Sequence, residues 1–305
     1  MYHLKYFRAQ VFSMKVLVRH YSDPACPWSW AAETTLRRLM WEFADELEFA
    51  WVMGGLARSY GSEYRDSQAA IGSGPDCFAD LIRHWLDVAD RSGMPIDPRF
   101  WADRPIASTY PGCLAVKAAC EQGSEAGYRY LRRLREGLMY EGKRLDHAEA
   151  LVAAAGEAEL DVSRFEIDLH SAAITEAFAA DLEEARDIPD AARQADQVSE
   201  TEGKERLSFP SLVFIGDGDE RHGVYGYRPY AEYRAAATAA GAVPQAGTPP
   251  APLAAIERFG RIATAELEEL TQWPRPPLEA ELWALARDWK AKPVPALTGT
   301  LWEPA

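Results

Sequence analysis

The chain has 305 residues, of which 48% are apolar and 26% carry a charge. This composition can bury a sizeable core and differs from that of a disordered polymer. Acidic residues outnumber basic ones by 47 to 33, which gives a formal net charge of -14. Because phosphate groups are bound by basic faces, this charge argues against nucleic acid and anionic membranes as partners. The four cysteines are too few for a disulfide-rich secreted mini-protein.

The N-terminal segment predicts no targeting signal. It carries Lys5 and Arg8 but lacks the apolar core, about 7–15 residues long, of a signal peptide. The chain has no run of about 18 apolar residues, so no transmembrane helix is predicted. Met14 directly precedes the first predicted strand, and either Met1 or Met14 could be the true start. We expect a cytoplasmic protein, in a reducing compartment where thiols stay free.

The first structural unit is a strand, a helix and a second strand. Residues 15–21 are rich in β-branched side chains and predict a strand, which a turn rich in Asp and Pro follows. Apolar residues at helical spacing come next: Trp30, Leu36, Leu39, Met40 and Phe43. Residues 47–56 predict the second strand, which ends at Gly54 and Gly55. The unit spans about 40 residues, the size of a βαβ crossover.

The middle of the chain is helical. Apolar residues three and four apart predict helices near 76–92, 111–122, 124–140, 146–155, 161–168 and 171–186. Residues 208–227 then predict two strands joined by a Gly-Asp-Gly-Asp turn, and a helix follows at 229–241. Strands therefore stand at both ends of this region, which predicts one α/β domain interrupted by a helical insertion.

A Pro/Gly/Ala linker at 241–252 separates this region from a C-terminal extension with predicted helices at 253–271 and 277–290. The apolar residues on one side of the first helix are Leu253, Ile256, Ile262, Leu267 and Leu270. We expect this side to pack on the body of the same chain. The extension also holds four of the ten tryptophans: Trp273, Trp283, Trp289 and Trp302. Because tryptophan is enriched in interface hot spots, a dimer or partner surface is the alternative.

The sharpest chemical signal is Cys26-Pro27-Trp28-Ser29, between the first strand and the first helix. A thiolate at a helix N-terminus faces unpaired backbone N–H groups and the positive end of the helix dipole. Both features lower the thiol pKa and make the sulfur a nucleophile near neutral pH. We therefore predict that Cys26 is reactive, whereas a buried and inert cysteine is the alternative.

The order of these elements resembles the thioredoxin-like DsbA family. The stretch DPACPWSW and the insertion pieces YPGCLAVKAACEQG and YLRRLREGLMYEG look like its cytoplasmic branch, which includes FrnE-type disulfide isomerases and YjbH-type protease adapters. The resemblance covers about residues 15 to 240. It implies a thioredoxin-like domain at 14–57 and 205–240 and a helical insertion at 58–204. The linker and helical extension then occupy 241–305.

The resemblance also implies a cis peptide bond before Pro210, because family members place a cis proline beside the active-site cysteine. Such a bond would let the backbone of Phe209 pair with an extended substrate strand. An ordinary proline at the start of a strand is the alternative. We place the substrate-binding surface at Pro27, Trp28, Phe209 and Pro210, with Trp28 at the mouth of the groove. Trp30 is predicted to be a core residue.

Ser29 departs from the C-x-x-C motif of the family's redox members. A second thiol resolves the mixed disulfide in those proteins, and a serine cannot do so. The Ser29 hydroxyl could instead donate a hydrogen bond to the Cys26 thiolate. Cys113 and Cys120 are seven residues apart, a rise of about 10.5 Å on a helix. That exceeds the limit of about 7 Å between the Cα atoms of a disulfide, so these two cannot pair.

The remaining polar candidates have plain structural interpretations. Cys113 is predicted to be a small core residue, with a position facing the active site as the alternative, and Cys77 to be structural or exposed. His20 could tune the thiol or simply pack at the strand end. Asp23 is predicted to form the turn before Cys26, with positioning of the loop or of a proton as the alternative. The arginine clusters are predicted to lie on solvated helix faces: Arg37, Arg38, Arg132, Arg133 and Arg135. The histidines and cysteines show no zinc spacing, so no metal site is predicted.

Three functions remain open at this point. The leading hypothesis is a monothiol oxidoreductase or isomerase, in which Cys26 and Ser29 act on a protein or peptide disulfide. It needs no cofactor, although glutathione could serve as a co-substrate. The second is a non-catalytic adapter that binds a client protein for proteolysis. The third is a glutathione-dependent transferase or isomerase of the kappa type. A homodimer is compatible with all three.

Overall fold

The computed structural model describes residues 15–60, 77–103 and 105–305. The choice between Met1 and Met14 lies outside these residues. Within them, no helix combines the length and the apolar character needed to cross a bilayer.

The elements in chain order begin with β1 (Val16–Ser22), α1 (Pro27–Ala31), α2 (Glu33–Glu42), a 3-10 turn (Ala44–Glu46), β2 (Leu47–Met53), α3 (Cys77–Ser92), α4 (Phe100–Asp103), α5 (Tyr110–Cys120), α6 (Ser124–Met139), α7 (Ala148–Glu157), α8 (Val162–Leu169), α9 (Ala172–Arg186) and α10 (Asp190–Gln194). They continue with β3 (Val198–Thr201), β4 (Lys204–Leu207), β5 (Ser211–Ile215), β6 (Arg221–Tyr225), α11 (Tyr230–Ala239), α12 (Pro252–Phe259), β7 (Ile262–Ala263), α13 (Thr264–Thr271), α14 (Arg275–Arg287), β8 (Ala291–Ala296) and β9 (Gly299–Pro304).

The central sheet joins the two ends of the α/β region. Its strand order is β2-β1-β5-β6, with β1 parallel to β2 and antiparallel to β5. The parallel pair needs a crossover, which α1 and α2 supply. The antiparallel pair β5–β6 is the predicted hairpin. The predicted α/β fold with a helical insertion is therefore confirmed.

The insertion lies between β2 and β5. Its helices α3 and α5 to α9 follow the predicted segments closely, because each has an apolar stripe that the core can bury. The antiparallel hairpin β3–β4 was not predicted from the sequence. Its strands have only four residues each and carry charged side chains, so they lack the alternating pattern that indicates a strand.

The C-terminal extension has a different structure from the predicted pair of helices. The first predicted helix is divided into α12 and α13 at Gly260, whose φ of 67° ends α12, and β7 follows. β7 pairs with β9, which in turn pairs with β8. This small sheet was missed because β8 contains Pro293 and Pro295, which are unusual in strands but tolerated at an edge.

The apolar residues expected to pack on the body lie instead in a cluster of the extension itself, with Leu278, Leu282 and Leu285. Other residues of the extension do pack on the body. Ala263, Ala265 and Leu301 belong to the same apolar cluster as Trp30 of α1 and residues of the insertion. Thr298 also donates to the carbonyl of Ile96 and accepts from its N–H group. The extension therefore contributes to the core of the insertion and also has an apolar cluster of its own.

The prediction that the arginine clusters are solvated is wrong for four of the five residues. Arg37, Arg132, Arg133 and Arg135 are buried. Each is paired with a carboxylate: Arg37 and Arg132 with Glu266, Arg133 with Glu136, and Arg135 with Glu33. Arginine can be buried when a carboxylate compensates its charge. Glu33 and Glu266 are distant in the sequence from the arginines they pair with, so the local pattern resembles that of an exposed face.

Candidate functional site

Cys26 lies at the start of α1, directly after β1 and its turn. The side chain is 4% exposed. Its Sγ accepts a hydrogen bond from the backbone N–H of Ser29 at 3.4 Å and so caps the helix. The thiol donates to the carbonyl oxygen of Phe209 at 3.7 Å. Both contacts fix the sulfur between the first helix and the loop before β5.

The electrostatic setting of Cys26 differs from the sequence expectation. Burial raises the pKa of the Cys26 thiol, and Ser29 lowers it only in part. Asp23 raises the pKa further. The expected activation by the helix N-terminus does not prevail, because α1 has only five residues and the sulfur is shielded from water. The thiol, not the thiolate, is the form favoured near neutral pH.

Asp23 organises the loop that carries Cys26. One carboxylate oxygen accepts from the N–H of Ala25, and the other accepts from the N–H of Leu56, each at 2.7 Å. The Cys113 thiol donates to the same carboxylate at 3.3 Å. Burial raises the pKa of Asp23, and these hydrogen bonds lower it. Asp23 thus ties the turn after β1 to the end of β2, which a simple turn aspartate would not do.

The loop before β5 completes the site. The Phe209–Pro210 peptide bond is cis, as the resemblance implied. Ser211 Oγ donates to the Ser208 carbonyl at 2.7 Å and supports the loop. Gly54 leaves room for it, because a Cβ at this position would stand 2.1 Å from the Phe209 ring. The glycine at the end of β2 is therefore needed for the close approach of Phe209 to the sheet.

Aromatic side chains border the site on the α1 side. Trp28 is half-buried, with its ring 5.5 Å from that of Tyr227 and 6.2 Å from that of His84. Pro27 is buried at the first position of α1. Trp30 is fully buried and donates to the carbonyl of Pro95, so it is a core residue as predicted.

The other polar candidates do not add a second reactive group. Ser29 is 1% exposed, and its side chain helps to lower the pKa of the Cys26 thiol against the effect of burial. Cys113 is buried against Asp23, and burial raises its pKa well above the ordinary value. Cys77 begins α3, but its side chain lies outside the described part of the structure. No group of three or more possible metal ligands occurs in the described residues.

Sequence reasoning missed one residue of this region. Arg206 of β4 is buried, and its guanidinium carbon lies 4.2 Å from the centroid of the Phe209 ring. It stands three residues before Phe209, in a segment not recognised as a strand. The available signal in the sequence was a basic residue just before the expected cis-proline loop.

Comparisons with known proteins agree with this geometry. The thioredoxin family model matches residues 20–190. The ClpXP adapter protein SpxH of Halalkalibacterium halodurans is 31% identical over 216 residues, covering 69% of this chain and 63% of that relative. The chain thus matches less than two thirds of that relative's length. The protein of the same name from Shouchella clausii is 27% identical over 291 residues, covering 92% and 86%.

A solved structure shares the fold. A probable DsbA oxidoreductase from Streptomyces coelicolor matches with a TM-score of 0.52 and 21% identity, covering 77% of this chain and 94% of that one. Members of this fold generally need no cofactor. The central sheet, the cis-proline loop beside Cys26 and the match over residues 20–190 lead to one conclusion. The chain belongs to the thioredoxin family and has a DsbA-like fold.

Proposed function

We propose that this protein is an adapter of the SpxH type, which binds a client protein beside Cys26 and brings it to the ClpXP protease. The observation that carries the proposal is the state of Cys26. Its thiol is buried with a raised pKa, and the position that holds the resolving thiol in redox members is Ser29. The relatives named as ClpXP adapters support the same function.

The groove retains what a binding protein needs. Trp28 and Tyr227 offer half-buried aromatic surface next to the cis-proline loop. Aromatic rings bury large apolar areas and provide anchoring contacts in protein interfaces. A thioredoxin-like groove can therefore hold an extended client segment while its cysteine contributes shape and no chemistry.

The first test is the reactivity of Cys26. We expect its alkylation rate to be low at pH 7 and to increase with pH beyond about 8.5, the ordinary thiol value. Cys26→Ser serves as the blank for the other thiols. We also expect the wild type and Cys26→Ser to show equally little turnover of a mixed disulfide between a peptide and glutathione. A rate that levels off below pH 7.5, or turnover that depends on Cys26, would support the monothiol enzyme instead.

The second test measures protein half-lives in cells. Removal of the gene should lengthen the half-lives of a set of proteins that removal of ClpX also stabilises. The wild-type chain and Cys26→Ser should both restore their degradation. Trp28→Ala should not restore it, whereas Trp289→Ala, at a tryptophan 86% exposed and outside the groove, should. Restoration by the wild type but not by Cys26→Ser would contradict the proposal.

A further inference from the structure

Arg206 carries a buried positive charge that the described part of the chain does not neutralise. The residue is 6% exposed. Its Nε donates to Thr201 Oγ1 at 2.8 Å and its Nη1 to the Leu207 carbonyl at 2.7 Å. Neither acceptor is charged, and among the described residues no carboxylate forms an ion pair with it. Nη2 has no hydrogen-bond partner within the same residues.

This situation differs from that of the other buried arginines. Arg37, Arg132 and Arg135 each have a buried glutamate as partner. Removing a charge from water is unfavourable unless an opposite charge compensates it. Consistently, burial lowers the pKa of Arg206. A buried cation left without a partner therefore needs an explanation.

The position of Arg206 connects it with the groove. Its guanidinium stacks on the ring of Phe209, whose carbonyl faces the Cys26 sulfur. Of the nearby groups, Cys26 does most to raise the Arg206 pKa, followed by Asp23. The cation thus lies beside the loop that carries the cis proline, close to Cys26.

Neither nearby acid forms an ion pair with Arg206. Burial keeps Cys26 in its neutral thiol form near pH 7. The Asp23 oxygens already accept hydrogen bonds from Ala25, Leu56 and Cys113. Among the described residues no acid forms an ion pair with Arg206, which leaves its guanidinium open to an anion of a bound molecule.

We propose that Arg206 binds a carboxylate of the client segment that occupies the groove. This inference rests on the proposed adapter function and specifies the client chemistry. The carboxylate can belong to an Asp or Glu side chain or to the C-terminus of the client. The planar guanidinium forms directed, charge-assisted hydrogen bonds with carboxylates, and Nη2 is the donor still unused. The net charge of -14 disfavours acidic segments elsewhere on the surface, so this site selects one carboxylate by contact.

The test uses two synthetic decapeptide libraries, one with a free C-terminal carboxylate and the other with a C-terminal amide. Peptides bound by the full chain are sequenced. In the wild type, we expect either acidic residues to be enriched at one position or the free-carboxylate library to bind selectively. A preference of on the order of tenfold corresponds to one charged hydrogen bond. The two libraries distinguish a side-chain carboxylate from a C-terminal one.

The variants separate Arg206 from general electrostatics. Arg206→Met should abolish the preference, and Arg206→Lys should weaken it, because lysine keeps the charge without the planar fork. Arg193→Met is the matched control, since Arg193 is a more exposed arginine of α10 paired with Glu205. It should keep the full preference. If Arg206→Met does not fold, the test is whether Arg206→Lys weakens the carboxylate preference.

Three outcomes would overturn the proposal. The wild type could show no carboxylate preference, or the Arg206 variants could retain the preference. In the third outcome, the Cys26 pKa is low in the wild type and is raised in Arg206→Met. The last would mean that Arg206 stabilises a thiolate. Failure of the adapter function would appear differently, as unchanged protein half-lives together with an intact Arg206-dependent preference.

Discussion

His20 is a titratable residue that the fold keeps neutral. It lies on β1, 1% exposed, and neither ring nitrogen has a hydrogen-bond partner among the described residues. Burial lowers the pKa of His20 to about 3, Arg135 lowers it further and Glu33 opposes the shift. The ring contacts the edge of Trp51. His20 therefore packs as a core residue, one of the two interpretations that the sequence allowed.

The lowered pKa of His20 predicts how this residue affects the free energy of unfolding in acid. The unfolded chain takes up a proton near pH 6.5, whereas folded His20 stays neutral to about pH 3. The unfolded state therefore binds more protons in this window, and acidification lowers the free energy of unfolding. Between pH 6.5 and 4.5, we expect the wild type to lose about 2 kcal/mol relative to His20→Phe.

Urea unfolding at a series of pH values measures this difference. His170→Phe, at an exposed histidine of the insertion, should instead follow the wild type. Parallel curves for the wild type and His20→Phe would show that His20 titrates normally in the folded state.

At the scale of elements, buried ion pairs hold three helices together. Arg132 of α6 pairs with Glu33 of α2 and with Glu266 of α13. Glu266 also accepts from the backbone N–H of Ala263 at 2.6 Å, so it caps α13 as well. Arg132, Arg135 and Arg37 overcome the effect of burial and lower the pKa of Glu33 to about 2. Arg132 thus connects Glu266 of the extension to Glu33 of α2.

Removing one member should show the cost of an uncompensated buried charge. Glu266→Gln leaves Arg132 and Arg37 without this counter-ion and should lower the free energy of unfolding by about 3 kcal/mol. Glu269→Gln removes the more exposed pair with Arg38 on the same two helices and should cost less than about 1 kcal/mol. Denaturant titrations compare the two. Equal effects would mean that the buried pairs contribute no more than the surface pair.

At the scale of the whole molecule, one apolar cluster joins the thioredoxin-like part, the insertion and the extension. The largest apolar cluster includes Trp30 of α1, Trp51 of β2, Trp85 of the insertion and Leu301 of β9. Elements that share a core and buried ion pairs cannot separate without exposing apolar surface and unpaired charge. The insertion and the extension are thus structural parts of the molecule and not appended arms.

This arrangement predicts cooperative unfolding. Far-ultraviolet circular dichroism and tryptophan fluorescence should give the same midpoint in urea, with a single transition. Glu266→Gln should shift both midpoints together. A separate early transition in fluorescence only, from the tryptophans of residues 273–302, would show that the extension unfolds independently.

The sequence alone was enough for the outline of the fold. Hydrophobic periodicity located the helices of the insertion, and β-branched runs located β1, β2, β5 and β6. The resemblance supplied the cis bond before Pro210, which local composition could not. The short charged strands β3 and β4 escaped prediction, since their pairing depends on partners and not on a local pattern.

What the sequence determined by itself was the missing resolving thiol: Ser29 excludes a C-x-x-C cycle whatever the fold. Only the tertiary structure decided the state of Cys26, the burial of the arginine clusters and the position of Arg206. Each depends on distant segments. The Phe209 carbonyl contacts Cys26 from 183 residues away, and Glu266 compensates arginines more than 100 residues away. Desolvation and charge pairing depend on all groups that surround a residue in the folded chain, and a local stretch of sequence does not show those groups.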